Sequence, residues 1–270
     1  MITPPNAVPY WHVDAFASAP FGGNQAAVMV LENWPSDETL VKIGGENMFA
    51  ETAFVVRDET GAADWELRWC TPTYEIALCG HATLAAGHIL LTRDGGDHVR
   101  FRTRHSGILE VQRKGEGYEV ALPAIATQPS EHPGAAALIG GSPIATYQSG
   151  GEQIGYTIFL FRTEEEVRAL QPQLRALAEF GTDQFDCTAP GNNSDIVSRV
   201  FVPGAGVDED SVTGSAHAAL TPFWAERLGR DSFSAHQASE RGGDLTCRLD
   251  GDRVWLGGPC VTVVEGVFYL

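Results

Sequence analysis

Lysine is nearly absent from this chain: among 270 residues only Lys42 and Lys114 carry an ammonium side chain. Lysine and arginine together number 18 against 35 acids, for a formal charge of −17 at neutral pH. Such a balance repels nucleic acid and anionic membrane surfaces over any distance that salt leaves unscreened. No nucleic-acid or membrane partner is therefore expected. Any anionic substrate must be held by local dipoles rather than by overall charge. Long apolar runs are missing too. None approaches the length of about 18 residues that a membrane-spanning helix needs. The opening stretch MITPPNAVPYWHVDAF has neither the basic end nor the apolar core of a signal peptide, so a soluble, cytoplasmic protein is expected. The cysteines at 70, 79, 187, 247 and 260 are odd in number and contain no C-x-x-C, which speaks against a disulfide framework and a zinc knuckle. Neither G-x-S-x-G nor a P-loop occurs, leaving hydrolase and nucleotide-triphosphate chemistry without support. His81, His88 and His217 have no metal-ligand spacing, and no metal is expected.

What is present is ample core: 43% of residues are hydrophobic and 9% aromatic, enough for one large domain or two ordinary ones. The chain is organised around ELRWCTPTYEIALCGHATLAAGHILL, residues 66–91. Glu66 to Cys70 alternates as a strand, and Thr71-Pro72 ends it. From Gly80 onward Ala82, Ala85, Ala86, Ile89 and Leu90 recur at helical spacing. A glycine at a helix start allows backbone N–H groups to approach an anion closely, and His81 adds a group titrating near neutrality. The same junction reads equally as a tight turn with a capping histidine.

Strands are predicted over Tyr10 to Phe16 and Gln25 to Leu31, joined by a glycine-rich loop ending at Asn24. A helix follows through about Asn47 with Ser36 as N-cap. In the strand Phe49 to Val56, Glu51 is one carboxylate in an apolar run. It is either an edge residue facing solvent or a buried group tuned for proton transfer. Val99 to Val120 reads as three short strands. Pro123 to Pro143, rich in proline and glycine, marks a domain junction. A single helix is predicted from Thr163, its N-cap, to Phe180. Strands are predicted at Asp195 to Val202 and after Phe233.

The second half repeats the layout of the first. Arg68 and Pro72 stand at the same separation as Arg199 and Pro203. Glu75 precedes Gly80 by the same interval as Glu209 precedes Gly214, and each glycine opens an alanine-rich helix. A duplicated strand–turn–helix unit follows, with two helix N-termini able to form an anion site. The proton handlers available to it are Glu51, His81 and Asp210, with the Ser215 hydroxyl as hydrogen-bond partner. Cys79, beside a helix N-terminus, is expected to have an acidified thiol. It reads either as a structural cysteine or as the base of a racemase, although no second thiol stands in the matching segment.

PFGGNQAAVMV, ETAFV, TPTYEIALCGHATLAAGHIL and SRVFVPGAGVDEDSVTGSAHAAL together resemble the phenazine-biosynthesis PhzF-like isomerase family. The four motifs occur in the family's order across residues 10 to 225, and the last two are highly specific. The resemblance implies an α+β fold with two similar domains of diaminopimelate-epimerase type. Each is a mostly antiparallel curved sheet around a central helix, with the active site between them. Residues 1–125 and 126–270 would be the two domains, the last strand able to return to the first. It also implies a cofactor-independent isomerase, usually a homodimer, that moves a proton within a small carboxylate. By position, Glu51 is the implied acid/base and His81, Asp210 and Ser215 its companions. Gly80 and Gly214 would supply backbone donors, with Asn24 and Cys79 also lining the ligand. Gln25 and Ser211 stand where the family usually has proline, leaving loop stiffness and substrate choice open. A Cys79-assisted epimerase and a non-catalytic binding protein are the competing readings.

Overall fold

The structure is a computed structural model and describes residues 7–149 and 155–270. Residues 1–6 of the opening stretch lie outside that range. The chain divides into two compact units, residues 1–122 with 257–270, and residues 123–256.

In the first unit β1 (Ala7–Ala15) and β2 (Asn24–Val30) precede α1 (Asp37–Asn47). Then come β3 (Glu51–Arg57), β4 (Trp65–Cys70), the two-residue β5 (Glu75–Ile76) and α2 (Gly80–Asp94). Three strands close this stretch, β6 (His98–Arg102), β7 (Ile108–Lys114) and β8 (Gly117–Pro123). The second unit holds β9 (Gln128–Ser130), α3 (Pro133–Leu138), β10 (Ala145–Gln148), β11 (Tyr156–Leu160), α4 (Glu164–Arg168) and α5 (Leu174–Leu177). It continues with β12 (Gln184–Pro190), β13 (Ile196–Val202), β14 (Val207–Asp210), α6 (Gly214–Leu228), β15 (Ser232–Gln237) and β16 (Gly243–Asp250). The unit boundary falls inside β17 (Arg253–Gly258), and β18 (Cys260–Tyr269) belongs to the first unit.

The two ladders have the same grammar. In the first, β18 pairs antiparallel with β1 and β1 with β2; β2 runs parallel to β3; β3 is antiparallel to β4; and β4 pairs antiparallel with β5 but parallel with β6. In the second, β9 to β10 and β10 to β11 are antiparallel, β11 to β12 parallel and β12 to β13 antiparallel. There β13 pairs antiparallel with β14 and parallel with β15. The duplication read from spacing thus extends to the pairing order of every strand in these runs.

Each sheet wraps a helix that is apolar nearly all round. From Gly80 to Leu91 every residue of α2 except His88 is buried. That helix packs on β1, β2, β3, β6, β7 and β18. Alanine and glycine on several faces let the sheet close in. A Cβ on Gly87 would lie 2.4 Å from Val111 Cγ1 of β7. In the second unit α6 contains Pro222, whose missing N–H leaves the Ala218 carbonyl without its helical partner. The Ile125 N–H fills the gap at 3.0 Å.

One predicted element differs. The stretch from Thr163 to Phe180 is not one helix: Thr163 caps α4 as expected, accepting from the Glu166 N–H at 3.3 Å. Pro172 then drives Gln171 out of helical geometry, and the chain restarts as α5 and a 3-10 turn over Ala178–Phe180. The strands of β10, β11 and β12 were not legible in the sequence pattern. Among the described residues no helix is long and apolar enough to cross a membrane.

Gly87→Ala weighs a helix-propensity gain of about 1 kcal/mol against overpacking of about 1–3 kcal/mol. Val111 is β-branched and stiff at χ1, so the clash is expected to win. Thermal unfolding should show a Tm below wild type by a few degrees.

Candidate functional site

In the first unit the loop before β2 is forced into shape by Gly23. Its φ is +61°, and a Cβ there would meet the Ala15 carbonyl oxygen at 2.2 Å. That loop delivers Asn24, 3% exposed, to the start of β2. The parallel register sets Ala26 opposite Glu51, the first residue of β3. Glu51 is thus at the end of a strand, with its side chain 15% exposed.

The α2 N-terminus is placed by a buried ion pair. Arg68 on β4 is 3% exposed. It donates from Nε and Nη2 to the two carboxylate oxygens of Glu75, at 2.8 and 2.6 Å, and from Nη2 to Asp37 at 2.7 Å. This bidentate fork pins the β4–β5 turn immediately ahead of the helix. Its counterpart recurs in the second unit, where Arg199 donates from Nε and Nη2 to Glu209 at 2.7 and 2.8 Å. The sequence spacing exposed both pairs without revealing that they touch.

Glu51, Cys79, His81 and Asn24 come together. Glu51 Oε2 lies 3.2 Å from His81 Nε2, which has no hydrogen bond among the described residues. On the other side of the ring, the Asn24 amide nitrogen is 3.1 Å from Nδ1 and Cys79 Sγ is 3.6 Å from it. Burial works against charge on this ring, but the Cys79 sulfur and the Glu51 carboxylate more than offset it. The His81 pKa is raised well above its ordinary value. An amide at Asn24 can serve either ring state by turning its NH2 or its oxygen toward Nδ1. Glu51, Cys79 and His81 have ligand atoms within 4.8 Å of one another. The imidazole, however, meets the sulfur with one nitrogen and the carboxylate with the other. That arrangement suits a proton relay, and the same atoms lie close enough for one ion to take a single ring nitrogen, the sulfur and a carboxylate oxygen.

The acidified thiol expected at Cys79 is not found. Burial, then the Glu51 carboxylate, push its pKa up to about 11, against the pull of the helix N-terminus. Cys79 is α2's N-cap residue and Gly80 its first helical residue, and the first turn holds no acid.

In the second unit Gly214 opens α6, again with no acid in the first turn. Thr213, the N-cap, makes no capping bond; its hydroxyl donates instead to Asp210 Oδ2 at 2.6 Å. Asp210 Oδ1 accepts the Ser211 N–H at 2.9 Å, so this carboxylate organises its own loop. Ser215 Oγ donates to Gln184 Oε1 at 3.1 Å. The duplication makes this contact informative. Gln184 begins β12 as Glu51 begins β3, and Ser215 is the second residue of α6 as His81 is of α2. An amide–hydroxyl pair therefore stands where the first unit has an acid–imidazole pair. Sequence reading missed Gln184, since the β12 strand that would align it with Glu51 gives no clear pattern.

A family profile described as phenazine biosynthesis-like protein matches residues 13–266. The chain belongs to the phenazine biosynthesis-like protein family. Its relatives include a Pseudomonas aeruginosa protein named as an uncharacterized isomerase, 44% identical over 95% of this chain and 97% of that one. Another, a phenazine biosynthesis-like domain-containing protein of Bos taurus, is 33% identical over 96% and 98%. Among solved structures, a PhzF family protein of Enterococcus faecalis superposes with a TM-score of 0.88 at 38% identity, covering 98% of this chain and all of that one. A hydroxyproline epimerase of Agrobacterium vitis shares the fold at a TM-score of 0.61 and 14% identity, over 98% and 93%. The α+β epimerase-type architecture expected from the motifs is thus the one found, and the family's ETAFV and CGHAT segments here supply Glu51 and His81.

All five cysteines are free, and burial pushes every thiol upward, Cys70 and Cys79 to about 11 and Cys247 and Cys260 to about 12. Cys187 is raised as well, by the same cause. Ellman titration of the native protein at pH 7.5 is expected to find few reactive thiols, rising to five in guanidinium. A single fast-reacting native thiol mapped to Cys79 would contradict this.

Proposed function

We propose that the protein is an isomerase that moves a proton within a small carboxylate, with Glu51 as the acid/base. The observation that carries the reading is the Glu51 carboxylate, part-exposed at a strand end, 3.2 Å from the buried Nε2 of His81. Glu51 takes a proton from a carbon near the substrate carboxylate. The C–H bond pair moves toward that carboxylate as the bond breaks, and the proton returns at another carbon or the other face. His81, 3.2 Å away, holds Glu51 in place. The first-turn N–H groups of α2 supply fixed dipoles for the developing oxyanion.

Charge placement supports the same reading. The α1 and α4 starts carry acids and an oxygen cap, from Ser36 and Thr163. The starts of α2 and α6 carry no acid. In a chain of charge −17, these are the two long helices left open to an anion. Asp210 and Ser215 are proposed as substrate contacts, with Gly80 and Gly214 as backbone donors. The relatives named as isomerases agree with this chemistry. The Cys79-assisted alternative is disfavoured, because a thiol with a pKa of about 11 is protonated at neutral pH and is a poor base.

The test is solvent exchange. Small carboxylates are screened in D2O by proton NMR for protein-dependent loss of a C–H signal. Glu51→Gln keeps the shape and removes the titrating proton. It is expected to lower exchange by about 10²–10⁴-fold, with thermal unfolding near that of wild type. Exchange retained in the variant would remove Glu51 from the reaction.

A further inference from the structure

Asp186, the third residue of β12, plays no part in the chemistry above, yet it is wholly buried. Its Oδ1 accepts from Gln184 Nε2 at 2.9 Å, and its Oδ2 has no hydrogen-bond partner among the described residues. Gln184 Oε1 accepts from Ser215 Oγ at 3.1 Å, and the Tyr156 hydroxyl hydrogen-bonds the same serine. Alternation along the strand places Gln184, Asp186 and Thr188 on one face. That face looks toward α6, since the Trp224 indole N–H donates to Thr188 Oγ1 at 3.0 Å. One line of hydrogen bonds therefore runs from a buried carboxyl to the half-buried serine at the α6 start.

We propose that Asp186 and Gln184 are positioning residues that set the direction of the Ser215 hydroxyl, so that one buried proton decides whether Ser215 offers a ligand an acceptor or a donor. The proposal rests on Ser215 contacting substrate in the isomerase reading. An amide has a donating end and an accepting end. An ionised Asp186 accepts only, so the Gln184 NH2 must face it and the Gln184 oxygen takes the serine proton. Ser215 then presents lone pairs, which suit an ammonium or hydroxyl group on a ligand. A protonated Asp186 can donate to Gln184 Oε1 once the amide turns over. Its NH2 then faces Ser215 Oγ, and the serine O–H is free to donate to a carboxylate or carbonyl oxygen. The two states differ by one proton and one amide rotation.

The surroundings permit both states. Tyr156 from β11 feels the Asp186 charge, and its own pKa is pushed up to about 12 chiefly by burial; His217 from α6 reaches the neighbouring strand, its Nε2 3.4 Å from Ser198 Oγ. Burial pushes His217 down to about 4, so it is neutral. The β13 residues Ser198 and Val200 carry no charge. With no cation acting on the carboxylate among the described residues, burial pushes Asp186 up to about 7, where both states are populated at neutral pH.

The experiment uses the full chain labelled with 13C and 15N, without ligand, followed by NMR from pH 5 to 9. The Asp186 carboxyl carbon is expected to titrate with a midpoint near neutrality. The Gln184 side-chain nitrogen and the Ser215 β-carbon should follow the same midpoint, and both should become flat in Asp186→Asn. An Asp186 carbon that titrates only below pH 5 overturns the proposal, as does a Gln184 or Ser215 signal that ignores the Asp186 transition. Should Asp186→Asn fail to fold, the three wild-type curves decide alone. These curves read no turnover, so they are expected unchanged in Glu51→Gln. Their failure leaves the isomerase reading standing, and an active Glu51→Gln leaves them standing.

Discussion

A helix wrapped by its own sheet has nowhere to put a polar face, and this constraint governs the molecule. Between Gly80 and Leu91 the side chains of α2 are small or apolar on nearly every side, as a helix buried all round must be. Its backbone polarity cannot be removed in the same way. The first-turn N–H groups have no partner within the helix, and at both α2 and α6 no side-chain oxygen caps them. Burial therefore concentrates unmet donors at one end of each central helix. The arginine forks hold the turns that lead into those ends, with Glu75 and Glu209 as their acids. Each is a bidentate, charge-assisted pair, the strong and geometrically specific kind.

Duplication then explains how one architecture hosts unequal chemistry. The pairing order of the strands is the same in the two units, and so is the fork. The residues differ at the strand start and the helix start. Glu51 and His81 form an ionisable couple in which the carboxylate favours the imidazolium. Gln184 and Ser215 at the matching places form an uncharged couple, backed by Asp186. An acid–imidazole pair and an amide–hydroxyl pair thus sit on equivalent scaffolds.

The helices, the glycine-marked loops and the repeated Arg–Pro and Glu–Gly spacings were legible because each is local: apolar periodicity, positive φ and a short interval can be read along one segment. Glu51 was legible as an anomaly, an acid in an apolar run, and the motifs named His81 as its companion; that they touch was not legible, because the parallel β2–β3 register and the α2 start bring Asn24 and His81 to it from afar. The acidity expected of the Cys79 thiol was misjudged for the same reason. Its helix N-terminus is local, whereas the burial and the Glu51 charge that outweigh it are tertiary. Pro172 broke a helix whose acidic first turn and cap had both been read correctly, which shows a residue preference overruling a well-formed start. Asp186 was invisible, since a polar residue on a buried strand face looks in sequence like one on a surface.

Acidic composition also acquires a structural meaning. A net charge of −17 repels anions at long range, yet many of the acids are spent within the protein's own structure. The α4 start collects Glu164, Glu165 and Glu166, where they satisfy that helix's own dipole. Several others are locked to arginine: Glu75 to Arg68, Asp58 to Arg102 and Glu209 to Arg199. Screening reduces the remaining repulsion to a length of about 8 Å at physiological salt. What an approaching anion meets at short range is then set by the helix start it reaches, where the backbone contributes roughly half a positive charge. At contact distance the local dipole outweighs the screened global charge, so a scarcity of lysine does not by itself exclude an anionic ligand.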